Sequence, residues 1–145
     1  MSGLDAFGTQ FKRGDGVTPT EAFTALANVT NISGPSRSRE TLDVTTHGSP
    51  GGWREFIGGL KDGGEISLEL NYDPTETTHD LDDDFDDAAP RNYQIVILPD
   101  TADEHTWTIK GILTEVGDEF PHDDKMARSI TIKVSGKPTL AKTGA

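Results

Sequence analysis

The clearest pattern in the chain is Glu65-Ile66-Ser67-Leu68-Glu69-Leu70-Asn71-Tyr72, in which every second residue is apolar. Because successive side chains of a β-strand point to opposite faces, this alternation predicts a strand with one buried face and one face in water. The side chains on the water face are Glu65, Ser67, Glu69 and Asn71. Residues 128–134 and 105–116 repeat the pattern, and Gly111 marks a change of phase that predicts a bulge.

Shorter segments on either side of this strand predict the rest of a mainly β domain. They lie at residues 7–12, 23–32, 39–46 and 93–98. Turns such as Asp15-Gly16 and Asp62-Gly63 separate several of them, since glycine accepts the positive φ that tight turns require. A set of about seven short strands favours a two-sheet β-sandwich or barrel with flexible terminal arms.

One flanking α-helix is predicted at about residues 78–89. Leu81, Phe85 and Ala88 are spaced to form one apolar stripe, and Pro90 follows where the helix would end. The opposite face carries six acidic side chains, which are Asp80, Asp82, Asp83, Asp84, Asp86 and Asp87. Because a run of like charges is usually a solvated surface, this acidic helix is expected to face water on the outside of the protein.

The composition is that of an acidic chain with a modest supply of apolar residues. Its 145 residues include 13 Lys and Arg against 25 Asp and Glu, giving a net charge of −12, and 32% are hydrophobic. This charge argues against a general nucleic-acid binder, whose phosphate contacts need basic residues. The chain has no Cys, which excludes disulfides and thiolate metal sites. The longest aliphatic run, residues 95–98, is too short to cross a bilayer, and no signal peptide is predicted.

No cofactor, metal or catalytic site is predicted. Residues 82–86 have the opening spacing of an EF-hand loop, but the Gly and the final Glu that such a loop needs are missing. The four histidines lack the spacing of a zinc motif. Glu65 and Glu69 would lie about 13 Å apart along a strand, too far for the paired carboxylates of a glycosidase.

Residues 46–60 form a glycine-rich loop that nevertheless carries large apolar side chains. The conspicuous residues are Trp53, Arg54, Phe56 and Ile57. Either this loop folds back on the core or it packs on another protein chain, and the second is favoured because exposed apolar groups mark interfaces. Residues 137–145 are polar and aperiodic, which predicts a C-terminal arm after a domain at residues 1–136.

Several segments in order resemble siphophage major tail proteins, the lambda-like tail tube family. The first is Val29-Thr30-Asn31-Ile32-Ser33-Gly34-Pro35, followed by Leu42-Asp43-Val44-Thr45-Thr46. The most characteristic is Phe56-Ile57-Gly58-Gly59-Leu60-Lys61-Asp62-Gly63-Gly64-Glu65-Ile66-Ser67-Leu68-Glu69-Leu70-Asn71-Tyr72-Asp73-Pro74. The resemblance extends over residues 7–136.

The resemblance implies a structural protein of the virion tail, assembled in the host cytoplasm, rather than an enzyme. Six copies would close into a ring, and rings would stack around a tape-measure protein into a tube that conducts DNA during ejection. The tail terminator and baseplate proteins are further implied partners, without a membrane. In such a tube we expect Trp53, Arg54, Phe56 and Ile57 to contact the next ring. We expect the water face of the 65–72 strand to line the lumen, where acidic groups repel DNA.

Two other functions are compatible with the sequence. An acidic DNA-mimic or inhibitor fits the net charge of −12 but leaves the glycine-rich aromatic loop unexplained. A small adhesin-like binding module fits a β-sandwich, but it needs several aromatic side chains on one face, and only Trp53 and Trp107 are available.

Overall fold

The computed structural model describes residue 4, residues 6–16 and residues 20–144. These residues form ten strands: β1 (Gln10–Gly14), β2 (Phe23–Ala25), β3 (Val29–Ser33), β4 (Ser38–Asp43), β5 (Phe56–Asp62), β6 (Glu65–Asn71), β7 (Arg91–Ile97), β8 (His105–Glu119), β9 (Ala127–Val134) and β10 (Thr139–Lys142). They also form one short helix, α1 (Asp82–Asp86), and 3₁₀ turns at Pro50–Gly52 and Thr77–His79. The mainly β prediction with one flanking helix is confirmed.

Eight of the strands form one antiparallel sheet in the order β2-β1-β7-β8-β9-β6-β3, with β10 also paired to β8. The alternation predicted for β6 is confirmed, since Ile66, Leu68 and Leu70 are buried and their neighbours along the strand are more exposed. These residues share one core with Phe11 of β1 and Tyr93 of β7, which come from the other half of the sheet. The sheet therefore curls so that its two halves pack on each other, as in a sandwich or barrel.

Strand β8 belongs to both halves of the sheet. Its first part pairs with β7 and β10, and its second part pairs with β9. The register shift on β8 lies between Leu113 and Glu115, so the bulge predicted at Gly111 is in the wrong place. Gly111 pairs regularly with Val134, and a Cβ there would lie 2.6 Å from the Ile132 side chain. Close packing rather than a bulge therefore accounts for this glycine.

The predicted helix at residues 78–89 is mostly replaced by shorter elements. A 3₁₀ turn ends at His79, the backbone at Asp80 is extended, and α1 follows as little more than one turn. The Asp80 carboxylate accepts a hydrogen bond from the Asp82 N–H at 3.3 Å, and the Asp87 carboxylate accepts one from the Ala89 N–H at 2.9 Å. Such local bonds compete with helical ones, and Asp is a poor helix former.

Three further differences from the sequence-based expectations concern strands. The strand predicted at 23–32 is divided into β2 and β3, with Asn28 between them at a φ of 62°. The loop predicted at 46–60 contains most of β5, and the arm predicted at 137–145 contains β10. Neither strand shows a simple apolar alternation, because neither buries one face in the core.

Strands β4 and β5 form a separate two-stranded sheet that continues the β3–β6 ladder. The last pair of one ladder is Ser33–Ser67 and the first pair of the other is Ser38–Asp62, with four intervening residues on each strand. The two backbones approach closely at this break, where a Cβ on Gly34 would lie 2.5 Å from the Glu65 carbonyl oxygen. Residues 29–70 therefore form one long two-stranded ribbon whose far half is the β4–β5 hairpin.

Candidate assembly surfaces

The β4–β5 hairpin is exposed on both of its faces. Every residue of β4 is exposed, as is every residue of β5 except Gly59. Trp53 in the connecting loop is 77% exposed, and Phe56 and Ile57 at the start of β5 are each 53% exposed. In the single chain these residues therefore do not fold back on the core, and that interpretation of the loop is wrong.

Side-chain hydrogen bonds shape the loop at the tip of the hairpin. Ser49 Oγ accepts a hydrogen bond from the Thr46 N–H at 3.0 Å and donates one to Glu55 Oε2 at 3.0 Å. The Thr45 hydroxyl accepts one from the Glu55 N–H at 2.7 Å. Arg54 is exposed beside Trp53 and forms no ion pair within the part of the chain that the structure describes. The tip thus presents an aromatic ring and an unpaired cation side by side.

The solvent-facing side of β6 is polar. It consists of the side chains predicted for it, namely Glu65, Ser67 and Glu69, which are exposed, and Asn71, which is half-buried. Glu65 lies opposite Lys133 of β9, whose Nζ is 3.4 Å from the Asp62 carboxylate. Glu69 lies opposite Ser129, so no basic residue faces it across that ladder. Polar, mildly acidic side chains therefore cover this surface.

The acidic segment at residues 80–87 is not solvated throughout. Asp84, which was predicted to face water, is 1% exposed. Its carboxylate accepts hydrogen bonds from Arg13 Nη2 at 2.8 Å and from the Tyr93 hydroxyl at 3.0 Å, and Arg91 Nε lies 3.1 Å away. The prediction fails for Asp84 because these three partners compensate a buried charge. The acids that do reach solvent are Asp80, Asp82, Asp83 and Asp86, with Asp87 half-buried.

This buried cluster fastens α1 to the two strands from which its partners come. Arg13 is the next-to-last residue of β1 and also donates to the Asp80 carbonyl oxygen at 2.6 Å, while Arg91 begins β7 and pairs with Asp87 at 3.2 Å. Burial, followed by the neighbouring Asp84 carboxylate, raises the pKa of Tyr93. Arg91 Nε lies within ion-pair distance of Asp84 but makes no hydrogen bond, so the cluster is held partly by charge attraction. These contacts join α1 to β1 and β7 and make the cluster part of the packing of the fold.

The remaining surface offers little that is suited to small-molecule or metal chemistry. Over residues 4, 6–16 and 20–144, no group of three or more His, Asp or Glu side chains is positioned to hold a metal ion. An open cavity of about 230 Å³ beside Arg13 and Thr78 is smaller than an ordinary ligand site. No helix in the described residues has the length and apolar character needed to span a membrane.

Solved structures share this fold over nearly the whole chain. The tail of an empty GTA particle, refined with C6 symmetry, aligns with a TM-score of 0.73 and 21% identity, covering 96% of this chain and 99% of that one. The sheath-tube complex of PVC, an extracellular contractile injection system, aligns with a TM-score of 0.74 and 15% identity, covering 98% and 93%. The SPP1 tail tube aligns with a TM-score of 0.67 and 8% identity, covering 94% and 77%. No curated protein sequence matches the chain.

The amino-acid sequence also matches a family model, which shows the family to which the chain belongs. The family model described as "Lambda phage tail tube protein, TTP" matches residues 7–141. The chain belongs to the lambda phage tail tube protein family. It is therefore a structural protein of the virion tail tube and not an enzyme, as the resemblance implies. The DNA-mimic and adhesin-like alternatives are set aside.

In this tail tube protein, several large apolar side chains are exposed although the sequence did not predict their exposure. Phe85, predicted to share a buried stripe with Leu81, is 50% exposed, because α1 is too short to form that stripe. Phe120 and Met126, in the turn between β8 and β9, are 66% and 40% exposed. Their signal in the sequence is the presence of large apolar residues within an otherwise polar turn.

Proposed function

We propose that copies of this chain close into six-membered rings and that the rings stack into the tail tube through which DNA leaves the virion. The observation that carries this proposal is the β4–β5 hairpin, which exposes both faces and a tryptophan at its tip. A two-stranded hairpin is only marginally stable in water on its own. Contacts with other copies would stabilise it and cover its apolar side chains.

Free strand edges support the closing of rings. The main sheet ends in β2 on one side and β3 on the other, and β10 has one edge that no described strand covers. Unpaired edges are a liability in a monomer but a ready surface for joining sheets between copies. The GTA tail that shares this fold was refined with C6 symmetry, which supports six copies in a ring.

The solvent-facing side of β6 is our candidate for the lumen wall. Its residues Glu65, Ser67, Glu69 and Asn71 contribute two carboxylates and no basic side chain. DNA carries a dense negative charge, so such a wall repels phosphates and lets DNA pass without adhesion.

The tip of the hairpin is our candidate for the contact between rings. Trp53, Phe56 and Ile57 supply exposed apolar surface, and Arg54 supplies a charge that is free to pair with an acid of another copy. Buried aromatic and Arg side chains contribute disproportionately to interface energy. The tape-measure, tail terminator and baseplate proteins remain proposed partners through the family.

Electron microscopy of the purified protein tests this function directly. We expect concentrated wild-type protein to form rings or hollow tubes, and the double variant Trp53→Ala, Phe56→Ala to form rings without tubes. The variant should keep the wild-type unfolding temperature as a monomer, because both side chains are exposed there. Normal tubes from the double variant would refute the role of the hairpin tip, and wild-type protein that never forms rings or tubes would refute the function.

The lumen assignment has its own test, which uses the absence of cysteine from the chain. In a Glu69→Cys variant, a small maleimide should label both the monomer and the tube. A bulky polymer-linked maleimide should label the monomer but not the interior of an intact tube. Full labelling of tubes by the bulky reagent would show that this face of β6 lies outside.

A further inference from the structure

The solvent-facing side of β6 continues across the two strands that flank it. Residues directly opposite each other in an antiparallel ladder point to the same side of a sheet. The residues on this side, which together we call the polar face, are Asn31 and Ser33 of β3, Glu65, Ser67, Glu69 and Asn71 of β6, and Ala127, Ser129, Thr131 and Lys133 of β9. Within these three strands, all of them described, Lys133 is the only basic residue of the polar face.

Lys133 is an unexpected residue on a wall that is proposed to repel DNA. Its side chain is 46% exposed, so solvent and solutes reach it. Lys and Arg make the phosphate contacts by which proteins hold DNA. In a stack of six-membered rings, Lys133 would recur six times in every ring, and weak contacts along one DNA molecule would add up. A free Lys133 would therefore retain DNA on the wall.

Two carboxylates face the Lys133 ammonium. Its Nζ lies 3.4 Å from each oxygen of Asp62. Glu65 lies directly opposite Lys133 in the ladder between β6 and β9. Side chains at opposite positions of a ladder are close enough to interact, so Glu65 is a second acid within reach of the same ammonium. One cation thus lies between two anions at this end of the polar face.

The turn between β5 and β6 places Asp62 beside Lys133. One Asp62 oxygen accepts a hydrogen bond from the Gly64 N–H at 2.8 Å, and the Gly64 carbonyl accepts one from the Val134 N–H at 2.9 Å. A Cβ on Gly63 would lie 2.5 Å from the Val134 side chain, so glycine lets the turn approach β9. The bond from Gly64, followed by the contact with Lys133, lowers the pKa of Asp62, which keeps the carboxylate charged at neutral pH.

Folding stability does not account for the contact between Asp62 and Lys133. The two side chains are 55% and 46% exposed, and ion pairs so accessible to water contribute little to stability. What the pair does change is the charge that the polar face presents to an approaching phosphate. The backbone of the turn holds one partner in place, so this effect is built into the fold.

We infer that Asp62 and Glu65 mask Lys133, so that DNA passing through the tube meets no free cation on the polar face, an inference that rests on the proposed function. A phosphate that approaches Lys133 has to displace the Asp62 carboxylate and then compete with that of Glu65. The passage of DNA therefore depends on where these two acids lie, and not only on how many acids the wall carries.

Two double variants of equal charge separate position from number. The unmasked variant carries Asp62→Asn and Glu65→Gln, and Asn at position 62 retains an oxygen that can accept the Gly64 N–H. The matched control carries Glu69→Gln and Glu119→Gln. Glu69 lies opposite Ser129, and Glu119 lies opposite Ala127 at the other end of β9 from Lys133. Both variants lose two carboxylates, but only the first exposes the lysine.

Sedimentation of tubes with a short fluorescent DNA duplex measures retention. At low salt, the unmasked variant should retain about tenfold or more DNA than the wild type and the matched control, because its lysines contact phosphates in every ring. Retention should fall as salt rises. Adding Lys133→Gln to the unmasked variant should return the retained DNA to the level of the control. Equal retention by the two double variants, or no effect of Lys133→Gln, would overturn the inference.

Nuclear magnetic resonance of the monomer provides a second measurement that does not require tubes. Adding the same duplex should shift the Lys133 signals of the unmasked variant and leave those of the wild type and the matched control unchanged. Weak contacts suffice for such a shift. Equal shifts of the Lys133 signals in all three proteins would show that the acids do not mask the lysine, and would overturn the inference.

The outcomes separate the inference from the function on which it rests. The same duplex linked to a bulky polymer does not enter a tube, so unmasked tubes should not retain it. Its retention would place Lys133 on the outside of the tube, which overturns the inference and leaves the tube function standing. Wild-type protein that forms neither rings nor tubes would count against the function itself, while the resonance comparison still tests the masking.

Discussion

Strands β6 and β5 are adjacent in the chain and equal in length, yet one lies in the core and the other in solvent. Every second residue of β6 is buried, whereas β5 buries none and exposes all but Gly59. Both take part in antiparallel ladders of the same ribbon. The difference arises because β6 has β9 and the opposite half of the sheet to pack against, while β5 has only β4. Strand pairing alone therefore does not bury a surface, and in the single chain the hairpin is held only by its own ladder.

The largest effect on the free energy of unfolding is expected at the buried carboxylate of Asp84. Asp84→Asn should lower the free energy of unfolding by about 3–5 kcal/mol, because Arg13 and Arg91 lose the carboxylate that compensates them. Asp83→Asn, one residue earlier and exposed, should change it by less than about 0.5 kcal/mol. Urea denaturation of the monomer measures the unfolding free energy of both variants. Equal losses would show that Asp84 is solvated in the same way as Asp83.

Truncating one leucine in each half of the ribbon compares the contribution of a buried strand with that of an exposed one. Leu68→Ala on β6 should cost about 2–4 kcal/mol of unfolding free energy through lost burial and a cavity. Leu42→Ala on β4, where the side chain is 51% exposed, should cost less than about 0.5 kcal/mol in the monomer. A comparable loss for Leu42→Ala in the same denaturation experiment would show that the hairpin is packed on the body.

A smaller effect is expected from Tyr93→Phe, which removes one hydrogen bond to Asp84 and costs about 1 kcal/mol at neutral pH. Because the pKa of Tyr93 is raised in the folded protein, the stability linked to its protonated form is present below about pH 10 and lost above it. The wild-type protein should therefore lose stability more steeply than the variant as pH rises above 10. Parallel profiles of melting temperature against pH would contradict this role.

The smallest effect on stability is expected from cutting the tip of the hairpin. Trypsin should cleave the monomer first after exposed Arg54, since loop tips are preferred sites of proteolysis. The cut chain should melt within about 2 °C of the intact one, because β4 and β5 pair only with each other. Mass spectrometry identifies the cut, and assembled tubes should resist it. Early cleavage within β6 or β9 instead would show that the core strands open more readily than the hairpin.

The parts of the fold that the sequence predicts are those with a local pattern of apolar and polar residues. The alternation in 65–72 and 128–134 predicted β6 and β9, because one face of each strand is buried. Strand β5 was missed, since its glycines and exposed apolar residues follow no period. The exposure of Trp53 and its neighbours was favoured from sequence because nothing nearby could bury them.

The buried charge was beyond local reasoning. Asp84 looks the same in the sequence as Asp83 and Asp86, and its burial depends on Arg13, which lies 71 positions earlier in the chain. The contacts of Arg128 were likewise not predictable, because they join His79, Asp118 and Tyr72 from three different parts of the chain. Both features are set by the topology of the sheet rather than by any one motif.

The break in the ribbon between Ser33–Ser67 and Ser38–Asp62 has a mechanical consequence. A pull along the ribbon loads covalent backbone and many ladder hydrogen bonds together, so the element is stiff in tension. A sideways push meets less resistance at the break, where no ladder pairs join residues 34–37 to residues 63–66 and where Gly34 and Gly64 let the two backbones approach closely. If such ribbons link the rings as proposed, the rings would tilt on one another more easily than they separate. A tail built in this way would curve without opening its wall.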